Sequence, residues 1–210
     1  DDVDAFPNDP TQYSDLDEDE FGDNPAGNQP DSCPEQPGVS YVDRYGCIDS
    51  DGDGRSDPTP NWLAHPLGLA DAFPDDPYQW LDTDGDGVGD EHSFTVASNG
   101  MRIDNGDAFP NDPTQITDRD GDGCGDNYTY SIDDLGYRVP ANGDAFPNDP
   151  LQCHDLDGDS IGDNYSYTVD PETGLLIEIG DKYPFDRLAW HDPDDDGCVP
   201  SSATDIPYDY

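Results

Sequence analysis

Asp107-Ala-Phe-Pro-Asn-Asp-Pro-Thr-Gln115, followed after Ile116-Thr117 by Asp118-Arg-Asp120-Gly-Asp122-Gly-Cys124-Gly-Asp126, is the stretch that decides how this chain folds. Its second half carries carboxylates at loop positions 1, 3, 5 and 9, namely Asp118, Asp120, Asp122 and Asp126, with Gly at 4, 6 and 8. Alternating acids point at one centre if the chain curls, and Gly between them permits the positive φ that curling requires. The backbone carbonyl at position 7, here that of Cys124, then faces the same centre. This is the ligand order of the first part of an EF-hand loop, in which calcium takes six to eight hard oxygens. Magnesium fits less well because it holds a compact octahedron and keeps its waters. Zinc calls for His or Cys, and neither recurs in the loop.

Working outward, the same pattern begins at Asp15, Asp49, Asp82, Asp118, Asp155 and Asp192, so successive starts lie 34, 33, 36, 37 and 37 residues apart. The ligand candidates of the other loops follow by register: Asp15, Asp17, Asp19 and Asp23; Asp49, Asp51, Asp53 and Asp57; Asp82, Asp84, Asp86 and Asp90; Asp155, Asp157, Asp159 and Asp163; and Asp192, Asp194 and Asp196. Position 7 adds the carbonyls of Phe21, Arg55, Val88 and Ile161 to that of Cys124. The first loop has Glu18 and Glu20 where Gly is usual, and the last runs into Cys198-Val-Pro without a ninth-position acid, so these two sites are expected to be weaker. The Pro-rich lead recurs as DAFPNDPTQ from Asp4, DAFPDDPYQ from Asp71, DAFPNDPLQ from Asp144 and, degenerate, DKYPFDRLA from Asp181. Each copy offers two acids at constant offset before a loop: Asp4 and Asp9, Asp71 and Asp76, Asp107 and Asp112, Asp144 and Asp149, Asp181 and Asp186. They are expected to serve the loop that follows, giving roughly two calcium ions per full repeat. The second repeat reads as lacking the lead and as carrying a Cys- and Pro-containing segment instead.

Composition makes a bound cation necessary. Of 210 residues only 31% are hydrophobic, 22 are Gly and 21 Pro, and 51 acids against 7 Lys and Arg leave a formal charge of -44. Such a chain cannot bury enough apolar surface to offset its conformational entropy and should be disordered alone. Metal-binding free energy can become folding free energy. Acids scattered over a solvated surface, as in salt adaptation, are excluded by their register. The charge excludes nucleic acid and anionic membrane surfaces as partners. No apolar run is long enough for a transmembrane helix. With no initiator Met and no signal sequence, Asp1 reads as the start of a processed or excised chain.

Three connectors read as β-hairpins: Ser93 to Val96 with Met101 to Ile103, Tyr128 to Ile132 with Tyr137 to Val139, and Tyr165 to Val169 with Leu175 to Ile179 across Asp170-Pro-Glu-Thr-Gly174. Aromatic and β-branched residues flank turn-forming Gly, Asn or Asp in each. No helical period is sustained. The expected fold is therefore an elongated, mostly irregular, calcium-stabilised tandem repeat with short antiparallel hairpins and almost no α-helix. Its units run over residues 1–30, 31–66 (irregular), 67–104, 105–141, 142–179 and a partial 180–210.

The loops DTDGDGVGD from Asp82 and DRDGDGCGD from Asp118 resemble thrombospondin type 3 repeats. The full unit, DAFPNDPTQ through DGDGxGDN, is similar to the variant found in large surface proteins of marine bacteria and archaea. The resemblance covers nearly the whole chain. It implies a calcium-filled, irregular structure in which the ions act as the core, an extracellular structural or adhesive setting, and no catalysis. The hairpins and the long period depart from the compact type 3 unit.

Five Cys without zinc-type spacing favour disulfides and an oxidising compartment. A Cys33–Cys47 bridge would close the irregular connector and Cys124–Cys153 would tie one loop to the next, leaving Cys198 over. Asn127-Tyr-Thr and Asn164-Tyr-Ser match the glycosylation acceptor, and either Asn could instead close its loop by a side-chain hydrogen bond. The four His share no repeat position, and no nucleophile or cleft framework is visible, so no enzyme is expected. The expected function is an extracellular calcium-binding structural protein, a self-associating filament protomer or a surface stalk among neighbouring repeats. The alternative is a calcium-dependent adhesive module showing its hairpins to a protein or glycan.

Overall fold

A computed structural model describes residues 4–136, 138–192 and 195. Asp194, Asp196, Cys198 and Tyr137, named above, lie outside the described residues. The described chain has no helix. It has six short strands, β1 Ser93–Val96, β2 Arg102–Asn105, β3 Thr129–Ile132, β4 Arg138–Asn142, β5 Ser166–Val169 and β6 Leu176–Ile179, and is otherwise irregular. The strands form three two-stranded sheets, β1-β2, β3-β4 and β5-β6, at the three expected hairpins. In the third, Ser166 faces Ile179 and Val169 faces Leu176; in the second, the register slips by a bulge between Thr129 and Tyr130. The chain divides into two compact units, Asp1–Ser93 with Asn105–Pro113, and Phe94–Asp104 with Thr114–Tyr210. Both expected disulfides are present, Cys33–Cys47 in the first unit and Cys124–Cys153 in the second.

What lies inside inverts the usual order. Among the described residues the buried apolar side chains are Cys47, Ala70 and Ala189, while the largest fully buried side chains are Asp71, Asp107, Asp144, Asp181 and Asp192. Large apolar residues such as Phe94, Tyr130, Tyr167 and Ile177 are about half exposed on the hairpins. Two methyl groups and one half of a disulfide cannot supply the apolar burial that a domain needs.

The first and third hairpins are held by the loops that follow them. In the second unit Asp104 of β2 accepts the Asp118 N–H (2.9 Å), and Glu178 of β6 accepts that of Asp192 (2.8 Å). Arg102 of β2 bridges to Asp118 at 3.5 Å and stacks over Phe94. An isolated two-stranded ribbon is marginal in water, so these contacts to the next loop's first acid are what anchor it.

Candidate metal centre

Loops one to five share one hydrogen-bond plan. The first acid, Asp15, Asp49, Asp82, Asp118 or Asp155, accepts the position-4 N–H through Oδ1 at 2.7–2.8 Å. Its Oδ2 accepts the position-6 N–H at 2.9–3.2 Å. Positions 4 and 6 have positive φ in every one of these loops, whether they hold Gly or, as at Glu18, Glu20 and Ser160, a side chain that the left-handed region disfavours. The position-5 acid, Asp19, Asp53, Asp86, Asp122 or Asp159, accepts the N–H of Phe21, Arg55, Val88, Cys124 or Ile161 at 2.7–2.9 Å, and the carbonyls of those five residues take no part in this plan. The ninth residue, Asp23, Asp57, Asp90, Asp126 or Asp163, closes the neck by donating its N–H to the carbonyl just before the first acid, at 2.8–3.0 Å.

Asp107 and Asp144 were expected to serve the loops that follow them, but they fold onto the loops that precede them. The N–H of Asp31, Asp71, Asp107, Asp144 or Asp181 donates to the position-8 carbonyl of the preceding loop, Gly22, Ser56, Gly89, Gly125 or Gly162, at 2.7–3.1 Å. Each of these carboxylates accepts the N–H two residues on through Oδ1 at 2.7–2.8 Å, which aims Oδ2 at the preceding loop. Burial, and then the charge of the preceding loop's acids, pushes the Asp31, Asp71, Asp144 and Asp181 carboxyls up to about 6, and raises Asp107 likewise. Of the remaining lead acids, Asp4 is exposed; Asp9, Asp76, Asp149 and Asp186 accept the N–H two residues on, and the Asp149 backbone also reaches Asp120. The Asp112 N–H donates to the Phe109 carbonyl in the same turn.

Asp31 is a site residue that the sequence reading missed, and it corrects the second repeat. Asp31-Ser-Cys-Pro-Glu-Gln-Pro37 does fold as a lead: Gln36 N–H donates to Cys33 O at 2.8 Å, as Asp76 N–H does to Phe73 O. The signal was the Asp-x-x-Pro spacing. Four buried Gln residues, Gln12, Gln79, Gln115 and Gln152, were also given no role. Each pairs with both peptide groups of loop position 10, as Gln115 does with Asn127 N–H (3.0 Å) and C=O (3.1 Å).

The clusters could hold a metal ion. In loops one to three an oxygen from each of the acids at positions 1, 3 and 5 lies within 4.8 Å of the others. Buried carboxylate oxygens at the third position, Asp17, Asp51, Asp84, Asp120 and Asp157, and on Asp31, Asp107, Asp144 and Asp181, have no hydrogen-bond donor. Such an arrangement of buried anions is costly unless a cation meets it. The donors in loops one to three are all carboxylates, which suits a hard cation, while the groups that take in Cys153, with Cys124 and His154 or with Asp122 and Asp144, count a sulfur of the Cys124–Cys153 disulfide. The sixth loop differs, since Lys182 Nζ sits 2.9 Å from the buried Asp192 carboxylate and supplies a cation of its own.

Asn127 and Asn164 donate their side-chain N–H to Thr114 O and Leu151 O at 2.7 and 2.6 Å. Asn24, outside any sequon, makes the same bond to Thr11 O at 2.7 Å, so loop closure accounts for Asn at this position. Among the described residues no helix is long and apolar enough to cross a membrane. Compared with known proteins, the chain matches no family model, no curated protein and no solved structure.

Proposed function

We propose that this is an extracellular calcium-binding structural protein of the thrombospondin type 3 kind, in which the ions take the place of an apolar core. The observation that carries the reading is the set of buried, donor-less carboxylate oxygens converging from a loop and from the next repeat's lead. All-oxygen clusters on flexible, Gly-rich backbone favour calcium over magnesium, and extracellular modules of this type bind at roughly 10⁻⁴ to 10⁻³ M. Calcium then acts as a standing condition of the fold rather than as a signal. The disulfides fit an oxidising compartment. Carboxylates engaged by calcium make poor general acids, and we assign no catalysis.

Within that class we propose a filament protomer or surface stalk built by self-association. Half-exposed apolar side chains on two-stranded hairpins leave strand edges that a second copy can extend. Calorimetric calcium titration of the full chain, with circular dichroism in calcium and in excess chelator, tests the first proposal. Loss of tertiary signal on chelation is expected, and an unchanged spectrum together with no heat of binding would sink it. Negative-stain microscopy in millimolar calcium tests the second: ordered fibres that dissolve in chelator support a protomer. Monodisperse particles that bind a protein or glycan surface would favour an adhesive module, to which the adjacent, mutually tilted rings of Tyr128–Tyr130 and Tyr165–Tyr167 are suited.

A further inference from the structure

We propose that Gln12, Gln79, Gln115 and Gln152 are positioning residues for the cation sites, each fixing the junction at which the next lead delivers its Asp into the loop's cluster. The inference rests on the calcium reading above. Gln115 is nearly fully buried and pairs with Asn127 as one peptide group pairs with another. Its amide lies against the two backbone points that locate Asp144. A Cβ on Gly125, whose carbonyl holds the Asp144 N–H at 2.7 Å, would fall 2.1 Å from Gln115 Oε1. A Cβ on Gly143, the residue before Asp144, would fall 2.9 Å from Gln115 Nε2. The arrangement recurs with Gln152, Gly162, Gly180 and Asp181, and with Gln79, Gly89, Gly106 and Asp107. Gln12 meets Gly22 in the same way and also donates to Asn28 O at 3.0 Å.

The chain contains its own comparison. In the second repeat the N–H of Ser32 donates to Tyr45 O as that of Ala72 does to Trp80 O, which puts Arg44 where Gln79 stands, and there position 8 is Ser56 and the residue before Asp71 is Ala70. Both are buried, with side chains standing where the units of Gln79, Gln115 and Gln152 require Gly. Another polar anchor then holds position 8: Asp43 accepts the Ser56 N–H (2.9 Å) and hydroxyl (2.6 Å), and Arg44 Nε donates to the same hydroxyl (2.7 Å). Loss of the Gln is thus matched by loss of both Gly residues and by a substitute polar grip on the same junction, at position 8 instead of position 10. A residue that merely filled space would not need one.

The test is calorimetric calcium titration of the full, disulfide-intact chain carrying Gln115→Ala or Gln115→Met. Two hydrogen bonds lost at a buried junction predict that the sites of loop four weaken roughly 10- to 100-fold while those of the other loops hold. Met, which keeps the bulk but can neither donate nor accept there, should behave as Ala does. An isotherm like that of the unsubstituted chain, a uniform weakening of all sites, or recovery by Met would each overturn the inference. If Gln115→Ala does not fold in millimolar calcium, Gln152→Ala and Gln12→Ala put the same question to loops five and one. Absence of calcium binding by the unsubstituted chain would instead remove the reading on which the inference stands.

Discussion

Stripped of metal, this protein should grow more stable as the solution is made more acidic, down to about pH 4. Asp31, Asp71, Asp144 and Asp181 are pushed from an ordinary 3.8 up to about 6, by burial first and by neighbouring loop acids second. A folded-state value above the unfolded one means the native chain holds more protons between those values, so the contribution is full below about 4 and is lost as pH rises through about 6. Each such displacement disfavours the ionised native form by about 3 kcal/mol, and by about half that once water screening of the site is allowed for. Four together give about 6 kcal/mol, against the 5–15 kcal/mol of a typical domain. With the proposed calcium bound the sign should reverse, because protons then compete with the ion for the same oxygens. The assay is near-ultraviolet dichroism and protease resistance in metal-free buffers between pH 4.5 and 7.5, each matched with millimolar calcium; tertiary signal lost to chelator at pH 7.5 should return in part towards pH 4.5. The two stability curves should have opposite slopes, and the triple variant D71N/D144N/D181N should flatten the metal-free one. A metal-free curve that is level or rises with pH through 6 would refute the reasoning.

Three further outcomes follow from local geometry. Gly125→Ala drives a Cβ to 2.1 Å from Gln115 Oε1 and should destabilise the calcium-loaded chain by about 2–4 kcal/mol in urea melts, with Gln115→Ala added at less than the sum of the two single effects. Ser160 holds φ 77, so Ser160→Gly should stabilise by about 0.5–1 kcal/mol despite the greater freedom of Gly in the unfolded chain, as read by the shift of the urea midpoint. Replacing both Cys124 and Cys153 by Ser opens a link spanning 29 residues and should lower stability by about 3–4 kcal/mol at fixed calcium, as read by the same melts.

Much of the loop was legible because its determinants are local. The first acid reaches N–H groups three and five residues on, and the left-handed positions 4 and 6 are marked by Gly in most copies. Glu18, Glu20 and Ser160 adopt the same φ because the first acid's two bonds hold them there. The hairpins announced themselves by alternating aromatic and β-branched residues around turn formers, and the two disulfides by Cys placed to close the irregular connector and to tie one loop to the next.

The partnership between repeats was not legible, for a physical reason. Each of Asp4, Asp71, Asp107, Asp144 and Asp181 stands eleven residues before the following loop, while its distance from the preceding one varies with the connector. Constant spacing therefore points forward, but the connectors loop out, three of them as hairpins, and return the lead to the loop behind it. For the same reason Asp31 was passed over, since its irregular connector breaks the constant spacing. The role of Gln115 depends on contacts with Asn127, Gly125 and Gly143, which no local period records. By itself, then, the sequence determined the curl of each loop, where backbone and carboxylate lie within five residues of one another. Only the tertiary structure decided which acids share a centre, because that depends on where the chain returns after each excursion.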